Sequence, residues 1–419
     1  MIERARQIIA RGEIAEKTYI LVFCLVYLMH SIWPARTILW FVLVPVLLLS
    51  LAPYQNLLPI VKTSVFVMSA AFLALILATS ALAGETPFGV IANNARYVVA
   101  VLAFLIITAH LVSKNPDLLR LLIFFVAPAA ALSAATDIVQ FSGLSLHVIL
   151  TTRLEGIRGL TTYYNSNVIG MMFAFPCVGA VAVMISKKLV YWQFALLLLC
   201  SLILFAAVVL TGSRGSLTAM LAGVGVSVLL SANWRISVAA AAVVATTLAL
   251  LAATPLFGEM LHRGDSLRLT LWPVYLHMAA LKPWLGYGLA FDTRIALPEG
   301  IVVMNAHNIV LCALVRGGVL SAAALSAIMI FAFVGGWRAW RRHDEIIPLG
   351  MFSVCVVATS VDYEIVPTDL GYLWILFWLP VAGCLGARQQ APTHTPASES
   401  ADGAPGSSDH SRDHVVSQS

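Results

Sequence analysis

Three segments of this sequence place a basic side chain at the start of an apolar, helix-forming stretch. Arg214 lies in TGSRGSL, Arg268 lies in GDSLRLTL, and His307 lies in MNAHNIV. The free amides and the dipole of a helix N-terminus attract anions, and a guanidinium group suits the bidentate geometry of phosphate. Imidazole titrates near neutral pH and serves as a general base. Together the three side chains predict a catalytic site in which two arginines bind an anion beside a base.

Each of these residues also has an ordinary structural interpretation. Arg214 can extend towards lipid headgroups, Arg268 can form a surface pair with Asp265, and an interfacial histidine is commonly just a hydrogen-bonded polar residue. The catalytic interpretation requires that three helix starts, distant in sequence, pack together. The sequence alone does not show that they do.

Five nearby residues are predicted to bind substrate. Arg158 lies in GIRGLTTYYNSN, just before another helix start, and Arg263 is a weaker candidate because loops commonly carry solvated arginines. Asn167 follows Arg158 and has helix capping as its alternative role, whereas Asp265 is expected to be an N-cap. Asn308, directly after His307, completes the set.

The elements that position these residues belong to a membrane protein. Hydrophobic residues make up 60% of the 419 positions and charged residues only 11%, with a mean hydropathy of +0.91. Soluble domains carry about a quarter charged residues. The six cysteines all lie in apolar runs, so we expect packed thiols rather than disulfides or metal ligands.

The fold class predicted is an all-α polytopic membrane protein with one long periplasmic loop that contains a helix. A span needs about 20 apolar residues, and about twelve stretches approach that length: 18–33, 37–52, 57–83, 97–112, 119–140, 166–186, 190–210, 215–232, 236–253, 308–335, 346–361 and 370–387. Residues 1–17 are predicted to be a cytoplasmic interfacial amphipathic segment, 18–387 the transmembrane domain, and 388–419 a disordered cytoplasmic tail. The periplasmic loops cover about 141–165 and 254–306, and the second is expected to contain a helix with Pro273 inside it.

The distribution of basic residues predicts the orientation. Lys187, Lys188, Arg235 and the run from Arg338 to Arg342 fall on the side of the basic N-terminus, which the charge bias makes cytoplasmic. Seven arginines then fall on the outer face, where they are unusual: Arg96, Arg153, Arg158, Arg214, Arg263, Arg268 and Arg294. An anionic ligand explains such a cluster. Lys62 and Arg316 lie inside apolar spans and are expected to be functional or ion-paired.

Metal-dependent chemistry is not favoured by the sequence. A hard divalent cation needs oxygen ligands such as paired carboxylates, and the first outer connection, SIWPAR, contains no acidic residue. The other outer acids, among them Asp292 and Asp362, are scattered along the chain. Arginines that neutralise phosphate without a metal or other cofactor are the simpler interpretation.

Four segments in this order resemble the O-antigen ligase and polysaccharide polymerase family of bacterial envelope proteins. They are Arg158 with the downstream YNSN, TGSRGSL, RGDSLRLTLW followed by KPWLGYG, and AHNIVLCALVRGG. The resemblance covers nearly the whole chain apart from the tail. The RGG that ends the last segment is more similar to ligases than to polymerases.

The resemblance implies glycan transfer on the periplasmic face of the bacterial inner membrane, without a metal or nucleotide sugar. The donor would be a glycan on undecaprenyl pyrophosphate and the acceptor a sugar hydroxyl of lipid A–core. His307 would act on that hydroxyl, while Arg214 and Arg268 would bind the pyrophosphate. Direct displacement would invert the anomeric centre.

Three other functions remain open from the sequence. A repeat-unit polymerase would use a second lipid-linked glycan as acceptor, and a protein O-glycosyltransferase would need a longer outer loop to grip its acceptor. A lipid-linked glycan flippase would need polar residues along a path at mid-membrane depth. Only Lys62 and Arg316 meet that requirement, so an enzyme is favoured.

Overall fold

The computed structural model describes residues 13–29, 31–45, 57–83, 86–143, 152–155, 165–186, 189–231, 268–297, 302–363, 368 and 370–389, together with 238, 249, 252 and 257–258. Several predictions fall outside these residues: the roles of Arg158, Arg263 and Asp265, the basic residues Lys187, Lys188 and Arg235, the span 236–253 and the tail beyond 389. They stay predictions.

The described part of the chain is built almost entirely of helices. They are α1 Glu13–Leu28, α2 Trp33–Ile38, α3 Leu58–Val61, α4 Ser64–Leu82, α5 Phe88–Lys114, α6 Leu118–Ser142, α7 Ser166–Ser186, α8 Tyr191–Leu210, α9 Arg214–Leu230, α10 Arg268–Leu281, α11 Ile309–His343, α12 Ile347–Val361 and α13 Leu379–Arg388. A π-helical segment, Leu39–Leu43, follows α2, and a second one, Trp374–Trp378, precedes α13.

Six of these helices, α4 to α8 and α11, are long and apolar enough to cross a membrane. Three more apolar helices are shorter, namely α9, α12 and the segment Trp374–Arg388. The predicted all-α polytopic membrane fold is therefore confirmed. The number of twelve spans is not established and stays a prediction.

Helix α7 lies at the centre of the bundle, and small residues allow its neighbours to approach closely. A Cβ atom on Gly223 of α9 would come within 2.8 Å of both Val178 of α7 and Val354 of α12. A Cβ atom on Gly170 of α7 would meet Ser216 of α9 at 2.6 Å. Because membrane helices gain little from apolar burial against lipid, such close packing stabilises their association. It also holds α7, α9 and α12 together where the candidate site lies.

The two ends of the bundle differ in charge. Trp340 Nε1 donates a hydrogen bond to the Leu230 carbonyl at 3.1 Å, which brings the last turns of α9 and α11 together. Arg338, Arg341 and Arg342 are at this end of α11, whereas Arg214 starts α9 at the other end. Which end faces the cytoplasm stays a prediction.

The described part of the segment between α9 and α11 contains the predicted helix. Helix α10 includes Pro273, and a small antiparallel ribbon follows it, with β1 (Ile295–Ala296) paired to β2 (Val302–Val303). Tyr275 of α10 is buried and donates to the Thr293 carbonyl at 2.7 Å. A separate hydrophobic cluster joins this segment to α11 and comprises Leu271, Tyr275, Ala279, Val303, Ala306, Cys312 and Val315.

Of the two basic residues predicted to lie inside spans, Lys62 lies outside a spanning helix, whereas Arg316 lies within the spanning helix α11 as predicted. Lys62 ends the short helix α3, and a turn at Thr63 separates it from the spanning helix α4, so the predicted span 57–83 is interrupted. Arg316 is buried in α11, and its Nη1 donates to the carbonyls of Leu289 at 2.6 Å and Phe291 at 3.3 Å. Arg316 therefore holds the segment that follows α10 against the bundle.

Several helices differ in extent from the predicted segments. The described part of α1 starts at Glu13, within the segment predicted as 1–17, and Glu16 accepts a hydrogen bond from Asn115 at 2.8 Å. Helix α5 begins nine residues earlier than the predicted span 97–112. The span predicted as 308–335 continues to His343 and is kinked at Gly318, whose φ is +68° and ψ −170°. Helix α13 includes Arg388, which had been assigned to the tail.

Candidate active site at one end of the helical bundle

The three predicted catalytic residues line a single cavity of about 230 Å³. Its lining consists of Arg153, Asn167, Ser213, Arg214, Gly215, Arg268, His307 and Asp362. Arg153 comes from the non-helical segment 152–155, and the other residues lie at or next to the starts of α7, α9, α10 and α11 and the end of α12. The packing of helix ends thus brings together groups that are far apart in sequence.

Arg214 is positioned by the tight connection between α8 and α9. Gly212 has a φ of +56°, a conformation that favours glycine, and it lets the chain reverse direction. Ser213 caps α9, because its side chain accepts a hydrogen bond from Ser216 N at 3.3 Å. A Cβ atom on Gly215 would lie 3.1 Å from Val361, so a glycine here allows α9 to start close to the end of α12. The segment TGSRGSL therefore brings Arg214 and the N-terminus of α9 to the cavity.

Arg268 is held by the last residue of α12. Its Nε and Nη2 atoms donate to the Val361 carbonyl at 2.9 and 2.6 Å. The final carbonyls of a helix lack partners within the helix and carry a partial negative charge. This contact satisfies one of those carbonyls and fixes the plane of the guanidinium group at the cavity wall.

His307 is paired with Asp362. The imidazole Nδ1 lies 2.9 Å from Asp362 Oδ1, and the side chains are 32% and 11% exposed respectively. When an ionised carboxylate accepts from Nδ1–H, the neutral imidazole has its basic lone pair on Nε2. His307 also has a left-handed φ of +47°, which a hydrogen bond from its amide to Asn305 Oδ1 at 2.8 Å supports. Such conformations concentrate at functional sites.

Asn308, predicted to bind substrate, has a capping role in the structure. Its Oδ1 accepts hydrogen bonds from the amides of Val310 and Leu311, both at 3.0 Å, at the start of α11. Its Nδ2 donates to the Ser360 carbonyl at 3.1 Å. Asn308 is outside the cavity lining and instead joins the start of α11 to the end of α12.

Asn167 lines the cavity and contacts a third arginine. Its Oδ1 accepts a hydrogen bond from Arg153 Nη2 at 2.7 Å, while Arg153 Nε donates to the Thr211 carbonyl at 2.7 Å. The capping alternative belongs to Asn165, whose Oδ1 accepts from the Asn167 amide at 2.8 Å. Arg153 was noted in the sequence only as one of the outer arginines.

The charge of the cavity favours an anionic group. Three guanidinium groups, from Arg153, Arg214 and Arg268, face one carboxylate, Asp362, which is paired with His307. The N-terminus of α9 adds a partial positive charge. A diphosphate is a fitting ligand because guanidinium groups bind phosphate oxygens in pairs. Within the described residues, no three His, Cys, Asp or Glu side chains are grouped as a metal site requires.

Asp362 is the residue that sequence reasoning missed as part of the site. It follows the apolar segment of α12 directly, at the same end of the bundle as His307. A search for polar residues just after apolar helices, as well as at helix starts, would have found it.

Comparison with known proteins agrees with the motifs. Residues 196–326, which contain Arg214, Arg268 and His307, match the family model described as O-antigen ligase. A protein of Pseudomonas aeruginosa described as an O-antigen ligase is 29% identical over 208 residues, which cover 46% of this chain and 49% of the relative. The chain thus matches about half the length of that relative. The resemblance to the O-antigen ligase family is confirmed.

Proposed function

We propose that this protein is an O-antigen-ligase-like glycosyltransferase. It would move a glycan from undecaprenyl pyrophosphate to a sugar hydroxyl of lipid A–core at the periplasmic face of the bacterial inner membrane, with both termini cytoplasmic. The observation that carries the proposal is one cavity that combines three guanidinium groups with a His307–Asp362 pair. The match of residues 196–326 to the O-antigen ligase family supports it.

The arginines are assigned to the donor. Arg214 and Arg268 bind the diphosphate, and Arg153 lies on the same cavity wall. As the bond between the anomeric carbon and the pyrophosphate oxygen breaks, negative charge grows on the leaving diphosphate. Fixed cations aimed at a developing charge commonly contribute several kcal/mol to catalysis. Because guanidinium groups supply this charge, the reaction we propose needs no metal.

The His307–Asp362 pair is assigned to the acceptor. His307 Nε2 takes the proton of the sugar hydroxyl while the hydroxyl oxygen forms a bond to the anomeric carbon. Asp362 holds the imidazole through Nδ1 and stabilises the imidazolium that results. Attack on the face opposite the diphosphate inverts the anomeric configuration.

A repeat-unit polymerase remains the second candidate, because the same cavity chemistry serves when the acceptor is another lipid-linked glycan. The flippase loses support. Arg316 binds carbonyls of the outer segment, and Lys62 lies at a helix end, so neither supplies a polar path at mid-membrane depth.

A deletion strain distinguishes these functions. Long glycans that accumulate on the carrier lipid beside bare lipid A–core indicate a ligase, whereas single repeats indicate a polymerase. Complementation with His307→Ala should abolish transfer at unchanged protein abundance. His277→Ala, which changes an exposed histidine of α10 outside the cavity, is the control. Full transfer by His307→Ala would remove the proposed base.

Arg214→Lys tests the donor site. Lysine keeps the charge but loses the planar, bidentate geometry that phosphate recognition uses. Transfer should fall, with a higher KM for the lipid-linked donor. If lysine substitutes without loss, Arg214 does not bind the diphosphate in the way we propose.

A further inference from the structure

The end of α11 opposite the candidate site carries an apolar groove. Phe333, Val334 and Trp337 line a surface cavity of about 280 Å³, which we call the aromatic groove. Phe333 and Trp337 are 49% and 42% exposed, and their rings lie 6.0 Å apart. Helix α11 is apolar enough to cross a membrane, and we infer that the groove lies near the membrane boundary because its lining is apolar and arginines follow it along the helix.

Basic side chains continue the helix face that forms the groove. Arg338 comes four residues after Val334, and Arg341 comes four residues after Trp337. Residues four apart lie one above the other on a helix. The guanidinium group of Arg341 lies 5.7 Å from the ring centre of Trp340. Positive charge therefore lies one helical turn beyond the groove.

A second helix adds another arginine at this position. A Cβ atom on Gly335 would be 2.9 Å from the Cys384 carbonyl and 3.8 Å from Arg388 Cβ, so α13 crosses α11 closely here. Arg338 and Arg342 follow Gly335 by three and seven residues and share its helix face. Their charges act unfavourably on Arg388. We call Arg338, Arg342 and Arg388 the basic cluster.

The described residues provide no carboxylate within ion-pair distance of the basic cluster. Among the described residues, the ion pairs between arginine and aspartate join Arg120 to Asp117 and Arg294 to Asp292, and neither includes an arginine of the basic cluster. The acidic residues next in sequence are Asp344, which ends α11 in a left-handed conformation, and Glu345, which is buried. An anion placed between the three arginines would reduce their mutual repulsion.

We propose that the aromatic groove and the basic cluster together bind an anionic phospholipid of the adjacent leaflet. One acyl chain fills the groove, and the phosphate lies between the arginines of the two helices. Basic pockets between membrane helices are suited to anionic headgroups. A free phosphate ion would have no use for the apolar groove, so the combination selects a lipid. The site is separate from the candidate active site and does not depend on the proposed function.

The test uses the full chain purified in a neutral detergent. Phosphatidylglycerol or phosphatidylcholine is added, and retained lipid is counted by native mass spectrometry. We expect the wild type to prefer phosphatidylglycerol. Each arginine replaced by glutamine in the basic cluster should lower that preference about fivefold. Arg120→Gln, which changes an arginine at the start of α6, near the same end of the bundle, is the matched control and should have no effect.

Further variants separate the groove from the charge. Trp337→Ala should weaken the retention of both lipids while the preference for phosphatidylglycerol remains. A variant in which Arg338, Arg342 and Arg388 are all replaced by glutamine should lose the preference, and if it does not fold, as judged by its unfolding midpoint, the single variants carry the same comparison. Equal retention of the two lipids by the wild type, or an unchanged preference after removal of the arginines, would overturn the proposal. Displacement of phosphatidylglycerol by inorganic phosphate at equal concentration would show a site for a bare anion and would also overturn it.

Discussion

Removing the carboxylate of Asp362 should slow glycan transfer, because its Oδ1 lies 2.9 Å from the His307 Nδ1 atom that it orients. A hydrogen bond to a charged group contributes about 1.5–3 kcal/mol. Asp362 is only 11% exposed, so solvent screens this contact little. Asp362→Ala should therefore lower kcat roughly 10- to 150-fold. Asp362→Asn removes the charge that stabilises the imidazolium and replaces one oxygen with an NH2 donor that favours the wrong imidazole tautomer, so it should not restore the rate above that of Asp362→Ala.

The assay is the initial rate of transfer by purified protein from a lipid-linked glycan to lipid A–core, with kcat and KM measured for each variant. We expect KM for the donor to change little, because the arginines that we assign to the diphosphate remain. Asp292→Asn is the control: its carboxylate is exposed in the outer segment and bonded to Arg294, and its loss should leave the rate unchanged.

A double-mutant cycle shows whether Asp362 acts through His307. His307→Ala should lower the rate by about 10²–10⁴, the usual contribution of a general base. In that background Asp362→Ala should cause no further loss, since the imidazole it orients is gone. Additive losses, or a wild-type rate for Asp362→Ala alone, would refute this account of the pair.

Three further substitutions test the scaffold around the site. Arg268→Lys loses the bidentate contact with the Val361 carbonyl and should lower the transfer rate about tenfold, measured in the same assay. Gly318→Ala should lower the unfolding midpoint, because φ is +68° and a Cβ atom would overlap the Trp284 main chain; Gly225→Ala, with open space around it, should not. Asn308→Ala should lower the free energy of unfolding by at least about 1 kcal/mol, as followed by thermal unfolding, because it removes both the cap and the hydrogen bond to the Ser360 carbonyl, while Asn308→Asp should lower it less because it keeps the cap.

The sequence predicted the spanning helices well where hydropathy decides the structure. Long apolar runs such as 166–186 and 190–210 correspond to α7 and α8 within one residue at either end. Hydropathy does not report backbone conformation, so the kink at Gly318 and the π-helical segment Trp374–Trp378 were not expected. The turn after Lys62 was missed because the residues around it are apolar.

The candidate site could be predicted only in part, because the criterion was a basic residue at the start of a helix. Arg214 and His307 were found because a basic residue at a helix start has a local physical meaning. The roles of Arg153 and Asp362 become visible only through contacts with residues distant in sequence. Arg153 contacts Asn167, 14 positions away, and Asp362 contacts His307, 55 positions away. Asn308 is predicted to bind substrate, and the cap that it forms could not be told from such a role in the sequence, because a helix cap and a ligand-binding residue can be of the same type.

Three consecutive residues at the end of α12 each contact a residue of another segment. Asn308 bonds to Ser360, Arg268 to Val361 and His307 to Asp362. In the mechanism that we propose, the base and one of the diphosphate-binding arginines are therefore held by the same helix end. If this helix end shifts, both groups travel with it and the gap between them is preserved. Such common anchoring would let the surrounding outer segment rearrange around glycans of very different length without disturbing the alignment of the reacting atoms.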